Sequence, residues 1–63
     1  MDVASVETWI RRHGSIDIMS ITTRISIALR KRGYVRYVLP SGSIIVSTRE
    51  TAAKNPTWKE LAI

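Results

Sequence analysis

The chain has 63 residues, ten Lys or Arg against five Asp or Glu, and a formal net charge of +5 at pH 7. A chain of this length forms one domain at most. It shows neither the roughly 18 consecutive apolar residues of a membrane-spanning helix nor a signal-peptide pattern. It contains no cysteine, which excludes disulfides and thiolate metal sites and fits a reducing, cytoplasmic compartment.

The first predicted element is an amphipathic helix that ends near His13. Asp2 or Ser5 can cap its N-terminus, and Gly14 follows it as a typical stop residue. The residues that recur at helical spacing and form its apolar face are Val6, Trp9, Ile10 and His13. We expect Trp9 to lie in the core or at a docking surface.

The next stretch admits two interpretations. We favour a short strand at Ser15–Ile18, an N-cap at Ser20 and a helix from Ile21 to Arg32, because the sequence ALRKRG is a strong helix end with a glycine stop. In the rival interpretation one long strand runs from Ile16 to Ile27, supported by alternating apolar and β-branched residues. The residues that favour the helix by their spacing are Ile21, Ile25, Ala28, Leu29 and Arg32.

A β-hairpin follows from Tyr34 to Ser47. Two β-rich runs flank the loop Pro40-Ser41-Gly42, in which the glycine suits the left-handed position of a three-residue hairpin loop. The predicted register pairs Leu39 with Ser43 and Tyr37 with Ile45. Both faces of this hairpin are partly apolar, so we expect one to meet the core and the other to meet a helix or a partner.

The C-terminal part is predicted to be a linker and a short helix. Arg49 to Lys54 is polar, and Asn55-Pro56 is typical of a helix start. A helix from Thr57 to Ile63 would be too short to be stable alone, so Trp58 must dock on the domain or on another chain. The predicted organisation is therefore one domain at residues 1–48, followed by a linker and docking helix at residues 49–63.

The charge is concentrated in one part of the chain. The stretch from Ile18 to Arg49 carries six Lys or Arg residues and no acid, whereas the rest carries four bases and all five acids. Such a segregated basic surface indicates a polyanionic partner, of which nucleic acid is the commonest.

The predicted second helix has a face that suits contact with DNA. Small hydroxyl groups can reach phosphates or base edges, an exposed aliphatic group can meet a thymine methyl, and an arginine can bind guanine bidentately. The residues on this face are Thr23, Ser26, Ile27 and Arg30. The predicted phosphate contacts add Arg24, Lys31, Arg32 and Arg36. A plain solvated face is the alternative, in which cations near the helix C-terminus only complement the helix dipole.

The sequence offers no constellation for catalysis or for a cofactor. His13 is the single histidine, it closes the apolar face of the first helix, and neither a cysteine nor a carboxylate pair is available to form a metal site with it. No nucleophile, phosphate-loop or zinc-protease motif occurs. We therefore expect neither enzymatic activity nor a bound metal or cofactor.

The segment RISIALRKRGYVRYVLPSGSIIVS resembles the contact helix, the LxxxGY junction and the wing of winged-helix DNA-binding domains. It is similar in particular to the small winged modules of phage and plasmid replication proteins. The resemblance implies an α+β winged-helix-like fold, with a contact helix at Thr22–Arg32 in the major groove and a wing at Tyr34–Ser47. A full domain places two helices between the first helix and the wing. Residues 15–32 hold only a short strand and one good helix, or two very short helices, so the helix-turn-helix is truncated or completed by a dimer mate.

Three functional hypotheses follow. The first is a small DNA-binding regulator of transcription or replication, of phage or plasmid type, that binds double-stranded DNA as a homodimer. The second is an interaction module that binds and modulates a host protein, suggested by Ile27, Ile45 and Trp58. The third is a small β-barrel that binds single strands, which requires Ile16–Ile27 to be a strand.

Overall fold

Three helices and a four-stranded antiparallel sheet make up residues 2–61, the part of the chain that the computed structural model describes. The α+β class predicted from the sequence is confirmed. In chain order the elements are helix α1 (Val3–His13), strand β1 (Ser15–Asp17), a 3₁₀ turn (Ile18–Ser20), helix α2 (Thr23–Lys31), strands β2 (Val35–Val38) and β3 (Ile44–Ser47), helix α3 (Arg49–Ala53) and strand β4 (Lys59–Glu60).

Helix α1 begins and ends where the sequence predicts. The Asp2 carboxylate accepts a hydrogen bond from the backbone N–H of Ser5 at 2.8 Å. At the other end Gly14 has a φ of 90°, a left-handed conformation that favours glycine, and donates its N–H to the carbonyl of Ile10. Charge-stabilising hydrogen bonds from Ser5 lower the pKa of the Asp2 carboxyl.

Of the two places predicted for Trp9, the core is wrong, and a docking surface stays a prediction. Val6 and Ile10 are each only 1% exposed, whereas Trp9 is 51% exposed and its ring lies 4.0 Å from that of His13. With 100° of rotation per residue, the buried stripe is centred between Val6 and Ile10 on the side of Val3. Trp9 therefore lies on the flank of that stripe.

The helical interpretation of the second segment is confirmed, with a later start than predicted. The cap is Thr22 instead of Ser20, because the Thr22 hydroxyl accepts the N–H of Ile25 at 3.2 Å. Asp17 accepts the N–H of Met19 and opens the 3₁₀ turn that separates β1 from α2. The rival long strand from Ile16 to Ile27, and the β-barrel that depended on it, are wrong because residues 23–27 are helical.

The sheet has the strand order β1-β3-β2-β4. The predicted hairpin register is confirmed: Tyr37 lies opposite Ile45, and the N–H of Leu39 donates to the carbonyl of Ser43 at 2.9 Å. Gly42 has a φ of 92°, as the three-residue loop requires. β1, which follows α1 in the chain, pairs with β3 and so joins the first helix to the hairpin through the sheet.

The core lies between the two longer helices and one face of the sheet. Its buried residues are Val6, Ile10, Ile16, Leu29, Tyr34 and Val46, and Val3, Ile21 and Ile25 pack against them. Ser47 is the fully buried polar residue at its edge, and its hydroxyl group donates to the carbonyl of Gly14. This hydrogen bond fixes the turn after α1 to β3.

The C-terminal part differs from the prediction in its secondary structure. Residues 49–53, predicted as a linker, form α3, because the Thr48 hydroxyl accepts the N–H of Thr51 and caps a helical turn. The helix predicted from Thr57 to Ile63 is replaced at residues 59–60 by strand β4, and residues 62–63 lie outside the described residues. Pairing with the free edge of β2 outweighs the weak helix propensity of so short a segment.

Trp58 docks on the domain, as predicted. Its ring lies 5.9 Å from the ring of Tyr37, on the face of the hairpin opposite the core. Tyr37 and Ile45 on this face are 4% and 6% exposed. The second apolar face of the hairpin is therefore covered by the chain's own C-terminal segment.

No helix within residues 2–61 combines the length and the apolar character that crossing a membrane requires.

Candidate nucleic-acid interface

The exposed face of α2 carries most of the predicted contact residues. Ile27 is 52% exposed near the middle of this face, and the residues around it on the same face are also exposed. The exposed α2 face comprises Thr23, Arg24, Ile27, Arg30 and Lys31. It contains three cations and no acid. Each of its residues lies more than a quarter turn around the helix axis from buried Leu29.

Ser26 is buried and does not belong to this face, so its predicted position on the contact surface is wrong. Only 7% of Ser26 is exposed, because it lies three residues before Leu29 and turns toward the hairpin with it. It lines a small cleft together with Thr23 and Arg36. A small side chain at this position allows α2 to lie close to β2.

Arg32 is partly neutralised by an ion pair. Its guanidinium donates to the Glu7 carboxylate at 2.6 Å, and 16% of the Glu7 side chain is exposed. The pair joins the end of α2 to α1. Arg32 therefore has a structural role beside the phosphate contact predicted for it, and it contributes less positive potential than Arg24 or Lys31.

Arg36 brings the hairpin to the same surface. It is half-buried on β2 and lines the cleft with Thr23 and Ser26, so its side chain lies beside α2. The loop Pro40-Ser41-Gly42 is exposed and carries no charge. The basic part of the hairpin is thus its stem and not its tip.

Four of the five acids are held at other places. The carboxylates of Asp2 and Asp17 accept backbone N–H groups at the starts of helical segments. Glu7 pairs with Arg32, and Glu60 pairs with Arg49 at 2.9 Å. The exposed α2 face therefore meets no acid within its own helix, and an anion could approach it without like-charge repulsion from residues 23–31.

The residue that sequence reasoning missed is Arg49. It lies in the acid-free stretch, but it was assigned to a linker and not to a site. In the structure it begins α3 and shares a cleft with Arg30 and Arg36, far from it in sequence. The acid-free stretch was a signal that could have added Arg49 to the predicted contact residues. Its position beside Arg30 and Arg36 depends on tertiary structure and could not be predicted.

Within residues 2–61, His, Asp and Glu side chains form no group of three that could hold a metal ion. The described buried side-chain nitrogen and oxygen atoms all have hydrogen-bond partners. The candidate site is an exposed charged surface.

Comparison with known proteins gives no assignment: no family model, no curated protein and no solved structure matches this chain.

Proposed function

We propose that this protein binds double-stranded DNA, with α2 in the major groove and the stem of the hairpin against the backbone, and that it catalyses no reaction. The observation that carries the proposal is the exposed α2 face, where three cations surround Ile27 and no acid interrupts them. An α-helix with its side chains is about 10–12 Å across, and the major groove of B-DNA is about 12 Å wide.

The roles of the residues follow from their chemistry. Arg24 and Lys31 lie seven residues apart, about 10 Å along the helix axis and on the same side of the helix, and can neutralise phosphates on one side of the groove, while Arg30 lies on the other side of Ile27. Ile27 between them can contact a thymine methyl, and Thr23 can donate to a base edge. Arg36 approaches the backbone from the hairpin. Affinity comes mainly from the cations, and base discrimination from Thr23 and Ile27.

The order of elements supports this proposal. A helix, a strand, a turn, a second helix and a hairpin follow one another as in winged-helix domains, with the 3₁₀ turn Ile18–Ser20 in place of the first helix of the helix-turn-helix. The proposed role is that of a transcription or replication regulator of phage or plasmid type. Homodimerisation is part of the proposal, because a shortened helix-turn-helix offers a small contact area.

A pair of double variants tests the proposal. Arg24→Ala with Lys31→Ala removes two cations from the exposed α2 face, and Arg12→Ala with Lys54→Ala removes two exposed cations elsewhere. Fluorescence anisotropy with a labelled duplex at fixed salt should show a loss of at least about tenfold for the first variant and a much smaller loss for the second. Equal losses would mean that only net charge matters and would contradict the proposal.

Binding of a protein partner is the second candidate function. Trp9 and Met19 are 51% and 89% exposed, and exposed apolar side chains of this size can contribute to a docking surface. Two residues that suggested this function from the sequence, Ile45 and Trp58, are instead used within the domain. A stoichiometric protein partner that is lost with Trp9→Ala, together with no DNA binding at low salt, would favour this function.

A further inference from the structure

A second basic feature lies beside the C-terminal end of α2. It is an open cleft bounded by α2, β2, α3 and β4, and we call it the arginine cleft. Its principal lining residues are Arg30, Tyr34, Arg36, Arg49, Glu60 and Leu61. Three arginines and one glutamate thus line one cavity, although the three arginines come from three different elements.

Arg49 is held in the cleft by a contact that a ligand can replace. Its guanidinium binds the Glu60 carboxylate at 2.9 Å, and 70% and 48% of the two side chains are exposed. An exposed ion pair of this kind is screened by water and contributes little to stability. A more highly charged anion can therefore take the place of Glu60 as the partner of Arg49.

The opposite wall of the cleft is more rigid. Arg36 is half-buried and lines both this cleft and the smaller one beside Ser26. The N–H of Leu61 donates to the carbonyl of Arg36 at 2.9 Å and fixes β4 against β2. A ligand that binds here meets strands whose backbone position is already set, which reduces the entropy lost on binding.

We propose that the arginine cleft is a binding site for a phosphate group. Guanidinium groups present planar pairs of N–H donors that match phosphate oxygens, and several arginines around one cavity favour a multiply charged anion over chloride. The site extends the proposed DNA interface, because Arg30 and Arg36 belong to both surfaces. Arg49 belongs to the cleft alone, and it allows the two surfaces to be tested separately.

Titration with inorganic pyrophosphate, followed by amide chemical shifts in NMR spectra, tests the cleft without DNA. The salt control is sodium chloride at the same ionic strength. We expect saturable shifts at the amides of Tyr34, Val35 and Leu61. Arg49→Ala should weaken the binding by about tenfold, because a charge-assisted contact is lost. Lys54→Ala, which removes an exposed cation outside the cleft, should leave it nearly unchanged.

Glu60→Gln should change the affinity for pyrophosphate in the opposite direction from Arg49→Ala. A gain in affinity cannot result from a variant that fails to fold. The substitution removes the competing carboxylate while keeping the size of the side chain, and we expect pyrophosphate to bind about threefold more tightly. Shifts that do not saturate, or equal effects of Arg49→Ala and Lys54→Ala, would overturn the proposal.

The source of the phosphate is decided by repeating the comparison with duplex DNA. If Arg49→Ala weakens duplex binding and pyrophosphate competes with the duplex, the cleft holds a phosphate of the DNA backbone. If duplex binding is unchanged while pyrophosphate binding is lost, the ligand is a free phosphorylated molecule. Absence of duplex binding by the unaltered protein, with saturable pyrophosphate binding, would contradict the proposed function and leave the cleft proposal intact.

Discussion

Ser47 illustrates how much a single residue contributes in so small a domain. It is fully buried, and its hydroxyl group donates to the carbonyl of Gly14, which joins the turn after α1 to β3. We expect Ser47→Ala to lower the free energy of unfolding by about 1–3 kcal/mol, because a buried acceptor loses its donor. Urea unfolding measures this, with the exposed Ser20→Ala as the matched control, for which we expect less than about 0.5 kcal/mol.

Tyr37 makes stability depend on alkaline pH. Burial raises its pKa above the ordinary value of 10.0; the Glu60 carboxylate adds to this increase, and Arg49 opposes it. The unfolded chain then loses this proton before the folded chain does, so the contribution of Tyr37 to stability is constant below pH 10 and is lost as the pH rises through the folded pKa. Unfolding in urea at pH values on both sides of 10 should show this decrease. In Tyr37→Phe that component should be absent, and an identical pH dependence in the variant would contradict the assignment.

At the scale of elements, the start of α2 distinguishes the structure from the sequence prediction. Thr22, and not Ser20, caps the helix through its contact with the Ile25 N–H. Thr22→Ala should cost about 1 kcal/mol of stability and lower the helical circular dichroism signal. Ser20→Ala should change neither quantity appreciably. A larger effect at Ser20 would place the start of the helix where the sequence pattern alone had put it.

The C-terminal segment gives a second test at this scale. Trp58 covers Tyr37, whereas Trp9 is half-exposed on α1. We expect Trp58→Ala to cost about 2 kcal/mol, because it uncovers the second face of the hairpin, and Trp9→Ala to cost less than about 1 kcal/mol. Thermal unfolding of the two variants compares the same chemical change at two sites. A reversed order would mean that the C-terminal segment is not docked in solution.

The elements that could be predicted are those set by local signals. Asp2 and Gly14 define α1, and the loop Pro40-Ser41-Gly42 defines the hairpin and its register, because capping and turn chemistry act over a few residues. Strand β4 could not be predicted, since it exists only where β2 offers a free edge. The burial of Ser26 could not be predicted for a related reason. The spacing of apolar residues shows where the buried face of a helix is centred, but a small polar residue at the edge of that face can be either buried or exposed.

At the scale of the whole molecule, the acidic and the basic side chains occupy different places. Four acids serve as helix caps or as partners of arginines, while the exposed α2 face and the hairpin stem are left basic. This arrangement could be anticipated from the sequence as an acid-free stretch, and the exposed positions of Arg24, Ile27 and Lys31 agree with it. The convergence of Arg30, Arg36 and Arg49 could not, because it requires three elements to meet.

The most direct test of the central claim is the salt dependence of duplex DNA binding by the unaltered protein. If Arg24, Arg30, Lys31 and Arg36 each contact a phosphate, the logarithm of the binding constant should fall with the logarithm of salt concentration with a slope of about −3.6. Micromolar or tighter binding at low salt with a slope near this value is the predicted result. No binding at low salt, or binding that salt does not weaken, would contradict the claim that this basic surface contacts DNA.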